Sequence, residues 1–205
     1  MVVVDIDHTL ITDDHRLTAR TVAAVRAARE RGVAVVLASS RPPLGMVGYL
    51  RELGLTDPEP FIALQGGLIA TLAGVVRVLH SSPIPLRLAR QVALAGEAAG
   101  VSVNWYSGTR WFVSRLDERV RREARVVGTR PIEAQLASVR HDPEKILFIA
   151  PGGADARGLR KIPLPAGVEA TFSNNGYLEV TAAGVGKGSA LRIVANGAGV
   201  PAAEV

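Results

Sequence analysis

The sequence predicts an α/β protein whose parallel sheet is interrupted by an α+β insertion. Three observations carry that prediction. Short apolar runs alternate with amphipathic segments over residues 1–64, each apolar run ends in small or polar residues, and hairpin signals replace this pattern after Ser81.

Residues 1–4 read as a buried strand, being short, apolar and β-branched. A helix is expected over 19–31, with Thr18 as its N-cap, Leu17 and Val22 placed as a hydrophobic staple, and Gly32 as its C-terminal stop. Residues 33–38 form a second buried strand, 44–53 a helix closed by Gly54, and 61–64 a third strand. Such a βαβαβ run argues for parallel strands joined by right-handed crossovers. Pro83 and Pro85 then break the chain before a helix over 86–99 that ends at Gly100. Residues 101–106 and 111–113 flank a Ser-Gly-Thr turn and read as a hairpin. A charged helix follows at 117–125, a strand at 145–150 and a short helix near 155–160. A closing hairpin of 168–172 and 177–181 turns at Asn174-Asn175-Gly176. Mixed hairpins and helices predict an antiparallel or mixed sheet here. Residues 184–188 return the chain to the first unit, and 187–198 form a last helix.

Composition narrows the function classes. A chain of 205 residues, 48% hydrophobic and 21% charged, can bury one good core or two modest ones. The absence of cysteine excludes disulfides, thiolate metal sites and a cysteine nucleophile, and fits a reducing, cytoplasmic home. The formal charge of +5 suits anionic metabolites as well as nucleic acid. The densest basic patch, Arg119, Arg121, Arg122 and Arg125, is broken by Glu118 and Glu123, so no nucleic-acid role is expected. Residues 1–4 meet Asp5 at once, unlike a signal peptide, and charges interrupt every candidate membrane span. No membrane association is expected.

The strand ends carry the chemistry. Asp5 and Asp7, two residues apart beyond the first strand, project to the same side while the chain is extended. Like charges this close are tolerated where a cation neutralises one or where their pKa values separate. One carboxylate can then attack phosphorus while the other moves a proton. The alternative, a surface turn, fits Asp13 and Asp14 better than this pair. Ser39, Ser40 and Arg41 follow the second strand and offer hydroxyls and a guanidinium. Arg41 can fork to an anion or hold its loop through a carboxylate. Gln65, Gly66 and Gly67 follow the third strand. Ligands of open parallel sheets bind beyond the carboxyl ends of the strands, so all three segments converge on one cleft. Lys187 lies in a glycine-bounded turn before the last helix, where lysine and free backbone N–H groups can meet a phosphate. The turn is not a P-loop, because Thr181 stands where the first glycine of that motif belongs. His8, His15, His80 and His141 lack metal-ligand spacing, and only His8 is expected near the cleft. Trp105, Tyr106 and Trp111 are expected to pack the core of the insertion rather than to stack on a ligand.

Taken in order, these segments resemble the haloacid dehalogenase superfamily, and more narrowly its Cof-type sugar-phosphatase branch with cap type C2B. The resemblance spans nearly the whole chain. It rests on Asp-x-Asp-x-Thr-Leu at 5–10, Ser-Ser-Arg-Pro at 39–42, the stretch 61–69, and the stretch 177–191 ending in Lys-Gly-Ser-Ala-Leu. It implies a three-layer, Rossmann-like core over 1–81 and 182–205 with an inserted cap over 82–181. It also implies roles. Asp5 is then the nucleophile, forming an aspartyl-phosphate, and a Mg²⁺ ligand. Asp7 is the general acid/base, with its main-chain carbonyl on the metal. Ser39 holds the phosphoryl group, Lys187 neutralises charge, and Ser40, Arg41, Gln65 and Gly66 bind substrate. The implied activity is Mg²⁺-dependent hydrolysis of a small phosphorylated metabolite, a sugar phosphate by the resemblance. The alternative is an impaired or truncated relative that binds phosphorylated ligands without turnover.

Three departures from the family pattern stand out. His8 occupies a position that is usually glycine, which crowds the turn, and Gln65 stands where many relatives carry asparagine. The family also expects a further strand and an acidic, glycine-rich loop about where this sequence reaches Val205. The expectation is therefore a core lacking its C-terminal strands, with residues 1–4 as an exposed apolar edge. That edge would be covered by a continuation of the chain, a rearranged terminus, or a second copy in a homodimer.

Overall fold

The computed structural model describes residues 1–151, 158–174 and 176–204. The chain divides into two compact units, Met1–Ser81 with Gly186–Val205, and Ser82–Val185. The sequence reading ends the insertion at 181 and returns the chain to the first unit over 184–188; the contacts divide the units between Val185 and Gly186.

The first unit begins with β1 (Val2–Val4), α1 (Ala19–Glu30), β2 (Val35–Leu37), α2 (Val47–Glu52) and β3 (Phe61–Ala63). Thr18 caps α1 as expected, its hydroxyl accepting from Thr21 N at 3.0 Å. β1 and β2 pair in parallel. β3 joins through a parallel bridge between Ala38 and Ile62, with Ser39 N donating to Ile62 O at 2.9 Å. All three β2 residues are buried, as a central parallel strand covered on both faces requires. β1 lies at an edge of the described sheet, with Val2 46% exposed, and the Met1 ammonium donates to Glu204 O at 2.8 Å.

The sequence reading places no element over 68–81. The structure has an antiparallel hairpin there, β4 (Leu68–Ala73) and β5 (Val75–Ser81), turned at Gly74 and paired to β3. β4 is buried at five of its six positions, so its apolar residues do not alternate with polar ones. The period-2 signal that announces a strand is therefore missing.

The second unit contains α3 (Leu86–Ala98), β6 (Ser102–Ser107), β7 (Arg110–Val113), α4 (Glu118–Val127), β8 (Ile132–Glu133), β9 (Lys145–Ile149), β10 (Val168–Asn174) and β11 (Tyr177–Ala182). Its sheet runs β10-β11-β9-β6-β7-β8, antiparallel except for the parallel β7–β8 pair. Alternation sends Val103, Trp105, Ile146 and Phe148 to one face, where Ala89, Val92 and Ala93 of α3 pack. The opposite face carries Tyr106, Lys145, Tyr177 and Glu179, and α4 meets it through Glu123, which accepts from the Tyr177 hydroxyl at 2.6 Å. Trp105, Tyr106 and Trp111 are buried, the last two stacked at 5.3 Å between ring centroids. Residues 155–157 of the expected 155–160 helix, and Asn175 of the expected turn, lie outside the described residues; the described part forms a 3₁₀ turn at Leu159–Lys161.

The chain re-enters the first unit through α5 (Lys187–Gly197). Ala190 and Val194 of α5 pack against Val36, Ala38, Ile62 and Ile69, which form one face of the sheet. That packing brings the N-terminus of α5 to the loop that follows β3.

Candidate active site

Beyond β1, Asp5 is still extended (φ −72°, ψ 153°) and accepts from Ile6 N at 2.7 Å. Residues Ile6–Leu10 then close one wide turn, with Ile11 N donating to Ile6 O at 3.2 Å. Within it Asp7 remains extended, while His8 takes the left-handed conformation at φ 58°. The crowding expected of His8 is thus a real backbone demand, of about 1–2 kcal/mol for a non-glycine residue.

The loops that follow β2 and β3 are stitched together by backbone. Leu64 N donates to Arg41 O at 3.0 Å and Gln65 N to Ser39 O at 3.1 Å. Gln65 is left-handed, with φ 61°. Gly66 (φ +99°) lies against the start of α5, so close that a Cβ there would fall 2.3 Å from the carbonyl carbon and oxygen of Gly186 and 2.7 Å from Lys187 N. Glycine is therefore a packing requirement at this position. Ser189 closes the first turn of α5 by accepting from Gly186 N at 2.9 Å and donating to Gly186 O.

This packing delivers Lys187 to the end of β1. Its Nζ donates to Asp5 Oδ2 at 2.7 Å, joining residues 182 apart in sequence. The Asp5 side chain is 44% exposed, so the carboxylate is both paired and accessible.

Asp7 has the other cation. Arg41, 4% exposed, donates from Nε to Asp7 Oδ2 at 2.9 Å and from Nη2 to Asp7 Oδ1 at 2.7 Å. A guanidinium removed this far from water requires a carboxylate partner, and the two-pronged fork supplies it. Of the two options open to Arg41 in the sequence, the structure takes the carboxylate. Burial by itself pushes Asp7 upward, but the Arg41 hydrogen bonds and charge, with smaller help from His15 and His8, outweigh it and hold Asp7 below its ordinary value.

Ser39 is fully buried, and its Oγ accepts from Arg41 N at 3.1 Å, which leaves the hydroxyl hydrogen to donate elsewhere. Ser40 stands half-buried at the bend between them. Asp5, Asp7, Ser39, Ser40, Arg41, Gln65, Gly66 and Lys187 thus all belong to the first unit, at the strand ends and the start of α5.

His15 is the residue that sequence reasoning misplaced. Its Nδ1 lies 3.3 Å from Arg41 Nη2 and 4.0 Å from Asp7 Oδ1, and Tyr49 donates its hydroxyl to His15 O at 3.1 Å. The guanidinium carbon of Arg41 also lies 5.5 Å from the Tyr49 ring centroid. No motif signals these contacts, because they join a loop after β1 to residues 26 and 34 positions away.

The donors suit a hard cation in a limited way. Mg²⁺ keeps several waters and takes one or two protein carboxylates with phosphate oxygens. The accessible Asp5 carboxylate meets that requirement. The Asp7 carboxylate is committed to Arg41, which leaves its main-chain oxygen. No group of three His, Asp or Glu side chains suited to a metal occurs among the described residues. Nor is any helix of the described residues long and apolar enough to cross a membrane.

A sheet with parallel β1–β3, an acidic pair beyond its first strand, a lysine from a returning helix and an interrupting α+β unit together define an α/β scaffold with an inserted second unit. The chain matches the haloacid dehalogenase-like hydrolase family over residues 2–205, and it belongs to that family. Two curated relatives, from Streptococcus pyogenes serotype M6 and Bacillus subtilis, carry names that class them provisionally as phosphatases. They are 43% and 37% identical over 70 residues, 34% of this chain and 26% of each relative, so the matched segment spans about a quarter of their length. Among solved structures, a haloacid dehalogenase-like hydrolase from Bacteroides thetaiotaomicron superposes with TM-score 0.82 at 22% identity, covering 97% of this chain and 76% of that one. The subclass IIB sugar phosphatase BT4131 gives TM-score 0.83 at 21% identity, over 98% and 77%. At these identities the superpositions speak for the fold.

Proposed function

We propose that this chain provides the catalytic core of a Mg²⁺-dependent phosphatase acting on a small phosphorylated metabolite, of which a sugar phosphate is the favoured class. The observation that carries the reading is the Asp5–Lys187 pair at the end of β1, beside the Asp7–Arg41 pair. Family membership and the sugar-phosphatase likeness of the fold support it.

In this reading an Asp5 carboxylate oxygen attacks phosphorus, and the bond from phosphorus to the leaving oxygen breaks. Asp7 gives that oxygen its proton and afterwards takes one from the water that hydrolyses the aspartyl-phosphate. Lys187 offsets the charge gathered between Asp5 and the phosphoryl oxygens, and the free hydrogen of Ser39 Oγ is available to one of them. Gln65 and Gly66 hold the loop against α5 and so keep Lys187 in place. The Asp5 carboxylate and the Asp7 main-chain oxygen would hold Mg²⁺, which neutralises phosphoryl charge when bound. The second unit takes the role of a cap that selects substrate.

The test is hydrolysis of an aryl phosphate with Mg²⁺. Asp5→Asn is expected to lower turnover by on the order of 10²-fold or more, and full activity in that variant would sink the assignment. A second reading, a phospho-ligand binder without turnover, draws on the fact that Lys187 and Arg41 already occupy both carboxylates. Calorimetric titration separates the two, since a folded chain that takes up no Mg²⁺ favours the binder.

A further inference from the structure

We propose that His15 is a positioning residue, which fixes the Arg41 guanidinium and through it presents Asp7 to the reacting atoms. The inference rests on the functional reading above, since it gives Asp7's support a task.

Nη2 of Arg41 has two hydrogens. One goes to Asp7 Oδ1 at 2.7 Å and the other points to His15 Nδ1 at 3.3 Å. A guanidinium only donates, so Nδ1 must carry the lone pair and the ring proton belongs on Nε2. With Nε on Asp7 Oδ2 and the Tyr49 ring centroid 5.5 Å from the guanidinium carbon, His15 adds a polar contact beyond the fork. It stops the guanidinium plane from rotating about its contact with Asp7.

The loop that carries His15 is built to hold it there. Ile11 and Leu17 form an antiparallel bridge, Thr12 N donates to Arg16 O at 3.0 Å, and His15 N donates to Thr12 O at 2.9 Å. Thr12 Oγ1 donates to Asp14 Oδ1, and Arg16 Nε donates to Asp14 Oδ2 at 2.6 Å, so Asp13 and Asp14 belong to a cross-braced turn. Tyr49 anchors the tip through His15 O. His15 itself is left-handed, with φ 58°. Glycine would adopt that conformation without strain and asparagine nearly so. If the residue only shaped the loop, glycine would serve at least as well as histidine.

That contrast sets the experiment. His15→Gly relieves the backbone but removes the acceptor. His15→Asn keeps the left-handed preference and places Oδ1 on Cγ, where Nδ1 now sits. Both are assayed against an aryl phosphate, and the Arg41 Nε–H is followed by ¹H–¹⁵N spectroscopy, assigned through its loss in Arg41→Lys. The expected result for His15→Gly is a fall in kcat of about tenfold or more, in line with the cost of a slightly misplaced catalytic group. Its KM should stay within about twofold, since only positioning is lost, and its Arg41 Nε–H should exchange faster. His15→Asn should restore kcat to within about threefold of the parent, because the acceptor returns, and restore the slow exchange. Wild-type kcat and an unchanged Arg41 signal in His15→Gly would overturn the inference. So would a loss in His15→Asn as large as in His15→Gly. A wild-type chain with no hydrolysis refutes the proposed function instead, and the Arg41 signal in the two variants then decides this point alone.

Discussion

The tightest joint in the candidate site is Gly66 against Gly186, and Gly66→Ala tests whether that joint places the lysine. An added Cβ would stand 2.3 Å from two backbone atoms of Gly186, where ordinary contact begins near 3.4 Å. Neither partner is a flexible side-chain end, so the α5 N-terminus must retreat by about 1 Å (2.3 to 3.4 Å). Overpacking of this kind costs about 1–3 kcal/mol, and alanine at positive φ adds roughly 1–2 kcal/mol. Gly74→Ala is the matched control, since Gly74 has φ +76° but nothing within 4 Å of a built Cβ. Far-UV circular dichroism in urea should therefore place Gly66→Ala about 1–3 kcal/mol below Gly74→Ala, the overpacking part of the cost. Catalysis should separate them further. A retreat of about 1 Å carries Lys187 from its 2.7 Å contact with Asp5, and a misplacement of that size costs on the order of 10²-fold in kcat/KM. If Gly66→Ala matches Gly74→Ala in both midpoint and turnover, the close approach does not position Lys187 and the reasoning fails.

Two predictions concern the second unit, which holds both tryptophans, Trp105 and Trp111, so that tryptophan fluorescence reports on it. Lys145 Nζ lies 3.0 Å from Glu179 Oε2 with both side chains nearly fully buried, an ion pair by distance although its alignment falls short of a hydrogen bond. Lys145→Met strands the Glu179 carboxylate and should cost about 3–5 kcal/mol, most of which Lys145→Met/Glu179→Leu should recover; urea midpoints that do not differ between the single and double variants would refute this. Asp117 caps α4 by accepting from Val120 N at 3.0 Å. Burial pushes its carboxyl upward, but hydrogen bonds from Ser102 and Val120 and the Arg119 charge prevail and hold it below its ordinary value. The folded state then binds this proton less tightly than the unfolded state, so its stabilisation is present above the unfolded value and is lost as pH falls through the lowered one. Asp117→Ala should cost about 0.5–2 kcal/mol at neutral pH, with the gap to wild type closing below about pH 4; a gap that stays constant down to pH 2 would count against the assignment.

What the sequence disclosed was mostly local. Thr18 before α1, the buried β-branched run of β2 and the hairpin of β6 and β7 each follow from neighbouring residues. The site was legible in its parts, since strand ends in parallel sheets face a common edge and Asp5, Ser39 and Gln65 are strand-end residues. What could not be read was pairing at a distance. The Asp5–Lys187 contact spans 182 positions and the Asp7–Arg41 fork spans 34, so the sequence allowed Arg41 two partners and could not choose. β4 was hidden by burial on both faces, and His15 by its place beside two aspartates that resemble an ordinary surface turn.

The state of Asp7 bears on how the two halves of the proposed reaction are divided. A carboxylate held below its ordinary value by a guanidinium fork is an acceptor. As it stands it suits the second half, in which a proton is taken from water. The first half needs a proton on the same group, and Arg41 opposes that for as long as both prongs stay seated. Asp5, paired with Lys187 on a separate segment, is not part of this constraint. In the proposed reaction, Asp5 and Asp7 are thus paired with different cations from different elements. Changes at Arg41 or His15 should shift the relative rates of formation and breakdown of the aspartyl-phosphate, whereas changes at Lys187 should act on formation through the nucleophile itself.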